Sequence, residues 1–246
     1  MLAGYAVCPK PAISTYFFPT VSFYRLKKIK LTNDGFFAFG LGRDRKNDVV
    51  IVKNLNGKNK KIIKKVFKRE YKIQRIDGLD KKKVTPPEEV YERIKNENKL
   101  IGNARSINSN LVFFKEKFIQ PLENAIITGV YGSQRILNGK PRWPHYGLDF
   151  AGDLGTPIKA MADGIVTLAE KDLYYTGATL IFDHGHGIST LYMHMDKIFV
   201  EKDDIVKQGD IIGTVGSSGR STGPHLDIRL NWFNVRLDPA TVLEMN

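Results

Sequence analysis

Cysteine is almost missing from this 246-residue chain: Cys8 stands alone, so no internal disulfide framework can hold the fold. Long apolar runs are missing too. None approaches the roughly 20 residues a membrane-spanning helix needs. The segment before Cys8 lacks the basic start and long apolar core of a signal peptide. Acidic residues are scarce in the first part. Residues 1–110 carry 25 Lys and Arg against 10 Asp and Glu, a net charge of +15, whereas residues 111–246 carry 13 against 16, a net charge of −3. Such a split points to two modules with different partners. An anionic envelope polymer or lipid is the expected partner of the basic part, with a merely solvated lysine-rich surface as the plainer reading. No nucleic-acid-binding motif accompanies the charge, so nucleic acid is not expected as a partner. What is present is ordinary for a globular protein, 42% hydrophobic and 26% charged residues.

The chain divides into three stretches. Residues 1–85 read as a small basic β module. Its expected strands are Tyr16-Phe17-Phe18, Val21–Tyr24, Phe36–Gly40 and Val49–Val52, followed by Ile62-Ile63 through Ile73. Turns are expected at Asn33-Asp34-Gly35, Asn54–Gly57 and Lys81–Lys83. Residues 86–110 form an expected helical connector: Glu88 and Glu89 suit a helix N-terminus after Pro86-Pro87, and Val90, Ile94, Leu100 and Ile101 recur near helical spacing. An isolated helix of that length is marginal in water, so it should pack on a neighbouring sheet. Residues 111–246 return to short apolar runs cut by Gly, Asp and Asn, and no long amphipathic helix is legible there. The expected strands are residues 125–132, 157–168, 178–183, 188–194, 211–215 and 225–230. The fold class that follows is mainly β, with an antiparallel sandwich or open barrel at the C-terminal end.

Five polar side chains stand out. His145 and Asp149 lie in Trp143–Phe150, His194 in Leu191-Tyr192-Met193-His194, and His225 and Asp227 in Gly223-Pro224-His225-Leu226-Asp227. Taken singly, each has an ordinary explanation as a surface, hydrogen-bonded or turn residue. Strand alternation places His225 and Asp227 on one face with Leu226 in the core, and by the same rule Tyr192 and His194 on one face. A rigid sheet carrying such groups can fix a metal with the tolerance catalysis needs. A hydrolytic zinc site asks for three protein ligands and an open position, and two further bases remain to move protons. His184 and His186 read instead as a Gly-flanked loop bordering the cleft.

This pattern resembles the lysostaphin-type, or LytM-like, zinc endopeptidases of peptidoglycan. Their His-x-x-x-Asp, Tyr-x-His and Gly-Pro-His-x-His motifs are met by His145–Asp149, Tyr192–His194 and Gly223–Asp227. The intervening Gly155–Ala160, Ala162–Val166, Val206–Gly213 and Gly216–Pro224 complete a likeness running from about residue 121 to 243. The resemblance implies zinc held by His145, Asp149 and Asp227, with His194 and His225 as catalytic imidazoles. The implied substrate is an amide in the cross-linking peptide of the cell wall, first of all a D-alanyl–diaminopimelate link. An exported protein of the periplasm or cell envelope is implied, with either its export signal removed or the chain starting inside a mature protein. One departure stands out: Asp227 occupies a position where the family usually has His. Carboxylate is an accepted zinc ligand, but two carboxylates and one imidazole neutralise the ion, so a working but weaker or differently tuned site is expected. A non-catalytic scaffold of the same fold, regulating other wall hydrolases, is the alternative. A biotinyl/lipoyl-type carrier hairpin, prompted by Val206–Gly213, leaves the histidines unexplained.

Overall fold

The computed structural model describes residues 14–19, 27–55, 58–78 and 84–243. The expected strand Val21–Tyr24, the turn at Lys81–Lys83, the centre of the Asn54–Gly57 turn and Cys8 lie outside the described residues. Four strands open the chain: β1 (Ser14–Pro19), β2 (Lys27–Ile29), β3 (Val49–Leu55) and β4 (Lys58–Lys64), antiparallel in the order β2-β1-β3-β4. Next come β5 (Ile73–Ile76), helix α1 (Tyr91–Arg105), β6 (Ile127–Gly129), β7 (Gln134–Leu137) and β8 (Lys140–Pro141). The large sheet is completed by β9 (Leu148–Ala151), β10 (Pro157–Lys159), β11 (Gly164–Leu173), β12 (Gly177–Gly185) and β13 (Ile188–Ile198). It ends with β14 (Ile205–Val206), β15 (Ile211–Val215), β16 (His225–Trp232) and β17 (Val235–Leu237). Its path runs β14-β11-β12-β13-β16-β9-β6, with β15 on β13 and β17 on β16. The mainly β, antiparallel fold expected from the sequence is the fold observed.

Both faces of the central strands are covered, and the sequence shows why. Along β12 and β13, Leu180, Phe182 and Tyr192 enter one apolar cluster, while Ile181, Leu191 and Met193 enter a second. The second cluster is closed by Ala104, with Ile101 packed against it, both from α1. The expected helix therefore packs on a sheet, as its short length requires. Polar contacts pin it there: Arg93 donates to the Asp172 carbonyl (2.6 Å), and Glu97 accepts from the Tyr174 amide (2.8 Å). The first cluster also takes in Ile29, Phe37, Phe39, Val49 and Ile51, so the basic N-terminal strands share a core with the large sheet.

Two expectations change on folding. The apolar run Phe36–Gly40 joins no ladder, and Phe37–Gly40 lie buried outside any strand. A Cβ at Gly40 would fall 2.3 Å from Leu237 Cδ2, so close backbone approach rather than strand pairing sets this stretch. The strand at Ile73, expected to continue the N-terminal module, pairs in parallel with β7 instead. That pairing brings residues from the two charge classes into one small sheet.

Candidate metal and catalytic centre

Strands β16 and β9 run antiparallel with Asp227 directly opposite Asp149. Like charges facing each other across a ladder are destabilising, so this pair needs cations. It has three within reach. His145 Nε2 lies 3.0 Å from Asp149 Oδ1 and 3.4 Å from Asp227 Oδ2. Arg229 Nη2 lies 3.1 Å from Asp227 Oδ2, and Arg135 Nη2 lies 3.3 Å from Asp149 Oδ2. Burial opposes the charge on Asp227, but Arg229 and His145 outweigh it and hold its carboxyl well below the usual range. Burial likewise disfavours the His145 cation, yet Asp227 and Asp149 outweigh that cost and raise its pKa. His145 itself is fixed by its backbone, which bonds with Ser133 O (2.8 Å) and with the Gly132 amide (2.7 Å).

The three residues fit a divalent ion. One donor atom from each of His145, Asp149 and Asp227 lies within 4.8 Å of the others, and all three residues are buried. Despite its 3.0 Å approach to the imidazole, Asp149 Oδ1 accepts no well-formed hydrogen bond, and His145 Nδ1 also has no partner. A buried carboxylate oxygen left unsatisfied in a native core calls for an explanation such as a bound ion. Two carboxylate oxygens and an imidazole nitrogen are donors that zinc accepts.

His194 and His225 stand beside this cluster, ring centroids 4.8 Å apart. His194 Nδ1 lies 2.8 Å from Ser218 O, and His225 Nδ1 lies 2.9 Å from Gly223 O. A carbonyl only accepts, so Nδ1 carries the proton in each neutral ring and Nε2 is the basic nitrogen. Burial, helped by His225, pushes the His194 pKa down to about 4 against the pull of Asp227. The structure thus brings together all five side chains singled out in the sequence. One detail differs. Tyr192 does not share the face of His194; its hydroxyl accepts from the Met161 amide (2.8 Å) inside the core. The pairing of β12 with β13 shifts register beside His194, whose φ is +63°. That bulge turns the imidazole to the cleft face, where strict alternation would not put it.

His184 and His186 do not border the cleft as expected. His184 is fully buried, its Nδ1 donating to Asp163 O (2.6 Å) and its Nε2 accepting from the Thr190 hydroxyl (2.8 Å). His186 packs on the Phe114 ring at 4.8 Å. Burial lowers the His184 pKa to about 4. The unfolded chain, with an ordinary pKa near 6.5, therefore binds the proton first, and stability falls as pH drops from about 6.5 to about 4. His184→Gln is expected to flatten that acid limb by up to about 3 kcal/mol, read from urea unfolding across the same window.

The family model described as Peptidase family M23 matches residues 143–239. Residues 143–239 are a peptidase family M23 domain. The chain is 44% identical over 98 residues to "DD-carboxypeptidase/endopeptidase Mpg" of Neisseria meningitidis, covering 40% of the chain and 22% of that relative. It is 39% identical over 103 residues to "Peptidoglycan DD-endopeptidase ShyA" of Vibrio cholerae, covering 42% of the chain and 23% of that protein. The matched part therefore spans less than a quarter of the length of these relatives. A crystal structure assigned to peptidase M23 from Pseudomonas aeruginosa resembles nearly the whole chain. Its TM-score is 0.65 at 25% identity, covering 97% of this chain and 92% of the other.

The carboxylates of the M23 domain are seated against glycines that sequence reading passed over. A Cβ at Gly147 would lie 2.1 Å from Asp227 Oδ1, and one at Gly129 would lie 2.1 Å from Asp149 Oδ2. Neither carboxylate can hold its place beside a methyl group. Gly147→Ala is therefore expected to lower zinc affinity by roughly 10–100-fold, the range seen when groups that orient metal ligands are lost. A competitive chelator titration measures it, and unchanged affinity would show that Asp227 is not held by this contact. Arg229 and Arg135 were missed as well. Arg229 was legible, since it lies two residues beyond Asp227 on the same strand face.

Proposed function

We propose that the chain is a zinc-dependent peptidoglycan endopeptidase that hydrolyses amide bonds in the cross-linking peptides of the cell wall. The observation that carries this reading is the convergence of His145, Asp149 and Asp227 within 4.8 Å, beside two imidazoles whose Nδ1 atoms face carbonyl oxygens. The names of the two relatives support the substrate class. His145, Asp149 and Asp227 would hold the ion. Zinc so held supplies a Lewis acid that acidifies water and polarises a carbonyl.

The chain's own groups do the rest. One of His194 and His225 takes the water proton at Nε2. The imidazolium so formed steadies developing negative charge and hands the same proton to the leaving amine, while the other imidazole orients the water through its Nε2. Ser218 O and Gly223 O fix the tautomers that make this exchange available. Arg229 offsets what Asp227 changes. A second carboxylate would cancel the charge of the ion, and the guanidinium at 3.1 Å supplies a positive charge at the same ligand. That contact favours an active site over the non-catalytic scaffold that Asp227 prompts.

In this reading residues 111–246 carry hydrolysis, residues 86–110 connect, and residues 1–85 meet an anionic envelope polymer or lipid outside the cytoplasm. Among the described residues no helix is long and apolar enough to cross a membrane. The test is purified muropeptide dimers incubated with zinc-loaded protein, with and without a chelator. Conversion to monomers only in the chelator-free tube is expected, and intact dimers in both would refute the hydrolase.

A further inference from the structure

A cleft of about 1030 Å³ opens over the His145–Asp227 cluster, and its lining is unusual in charge. Among the described residues it holds eight arginines, two carboxylates, and no lysine or glutamate. Both carboxylates are already matched: Asp44 lies 2.5 Å from Arg43, and Asp227 lies 3.1 Å from Arg229. Arg135 is matched as well, by Asp149 at 3.3 Å. Among the described residues, Arg105, Arg142 and Arg236 form no ion pair with an acid. Arg142 donates to Val84 O (3.1 Å) and to the Thr85 hydroxyl (3.2 Å). Arg236 lies over the Tyr146 ring at 4.6 Å. Arg105 Nε is buried with no partner.

These cations crowd one another. Burial, with Arg236 and Arg229 nearby, pushes the Arg105 pKa down to about 10. Arg229 is bonded to a metal-site carboxylate. Desolvated like charges without counterions are costly unless a ligand brings the missing anions. Arginine forks match carboxylates two bonds at a time.

We propose that Arg105, Arg142 and Arg236 clamp free carboxylates of the peptide substrate, so that the cleft selects cross-linked peptides bearing several unamidated carboxylates. This rests on the peptidase reading, because the clamp surrounds the same cluster. A nucleic acid fits less well. Its bases need open aromatic faces in series, and among the described lining residues Tyr146 and Tyr175 are already covered by guanidinium groups, which leaves Trp143 alone exposed. Leu191 and Met193 in the lining give an apolar floor suited to a peptide backbone and its side chains.

The test uses the full zinc-loaded chain and two muropeptide dimers that differ only in whether their side-chain and terminal carboxylates are free or amidated. Binding is measured on the His194→Ala protein, which holds dimer without turnover, and kcat/KM on the wild type. Amidation is expected to weaken binding about tenfold or more, the factor that about 1.4 kcal/mol from a lost charged hydrogen bond produces. Arg105→Gln with Arg236→Gln should bring the two affinities together. Arg142→Gln, at a half-buried position of the lining, serves as a second variant if the double one does not fold. Equal affinity of the wild type for both dimers overturns the clamp. Displacement of the dimer by equal concentrations of inorganic phosphate or a short single-stranded oligonucleotide also overturns it. Selective binding without any cleavage sinks the peptidase reading and keeps the clamp; equal kcat/KM on both dimers does the reverse.

Discussion

Alanine at His145 is expected to remove zinc and muropeptide cleavage together. The imidazole is the one neutral-capable donor between two carboxylates, 3.0 Å from one and 3.4 Å from the other. Without it Asp149 and Asp227 still face each other across the ladder, but their geometry is no longer set by a shared partner. The loss in kcat/KM should exceed the roughly 10–100-fold that removal of a supporting outer partner costs. His194→Ala should behave differently: zinc stays, while kcat falls by roughly 10²–10⁴-fold, the usual worth of a proton-transferring side chain. Elemental analysis beside dimer hydrolysis separates the two. If His194→Ala loses its zinc, or His145→Ala keeps it, the division of labour drawn here is wrong.

Arg229→Gln carries the second large effect. Asp227 is buried and its carboxylate is held ionised chiefly by Arg229. Removing one partner of a buried ion pair costs about 3–5 kcal/mol, because the remaining charge is left uncompensated. That range is an upper bound here, since His145 still contacts Asp227 and the Arg229 side chain is 22% exposed. Zinc should then restore much of the loss. A ligand that binds the folded state alone stabilises by about 4 kcal/mol at a thousandfold excess over its Kd. The zinc-induced rise in Tm is therefore expected to be larger in Arg229→Gln than in the wild type. Equal rises would mean that Arg229 does not balance the two carboxylates.

Much of this centre was legible before any coordinates. His225 and Asp227 are two apart in a strand, and their side chains do fall together while Leu226 is fully buried. The face of Tyr192 was misread because period-two reasoning assumes an unbroken ladder, and the bulge at His194 breaks it. The arginines could not be gathered from sequence. Arg105 ends a helix, Arg135 sits on β7, and Arg236 sits on β17. Only the folded topology brings them to one cleft. Phe36–Gly40 looked like a strand because apolar composition alone does not distinguish a ladder from buried chain outside one. The parallel pairing of β5 with β7 joins residues about 60 apart, a contact that local pattern cannot announce.

Crystals of the zinc-loaded protein measured at the zinc absorption edge give the sharpest test. One anomalous peak within about 2.0–2.2 Å of His145 Nε2 and of one oxygen from each of Asp149 and Asp227 is the expected result. A zinc-saturated crystal with no peak there, or with its peak on other residues, would contradict a metal centre built from these three side chains.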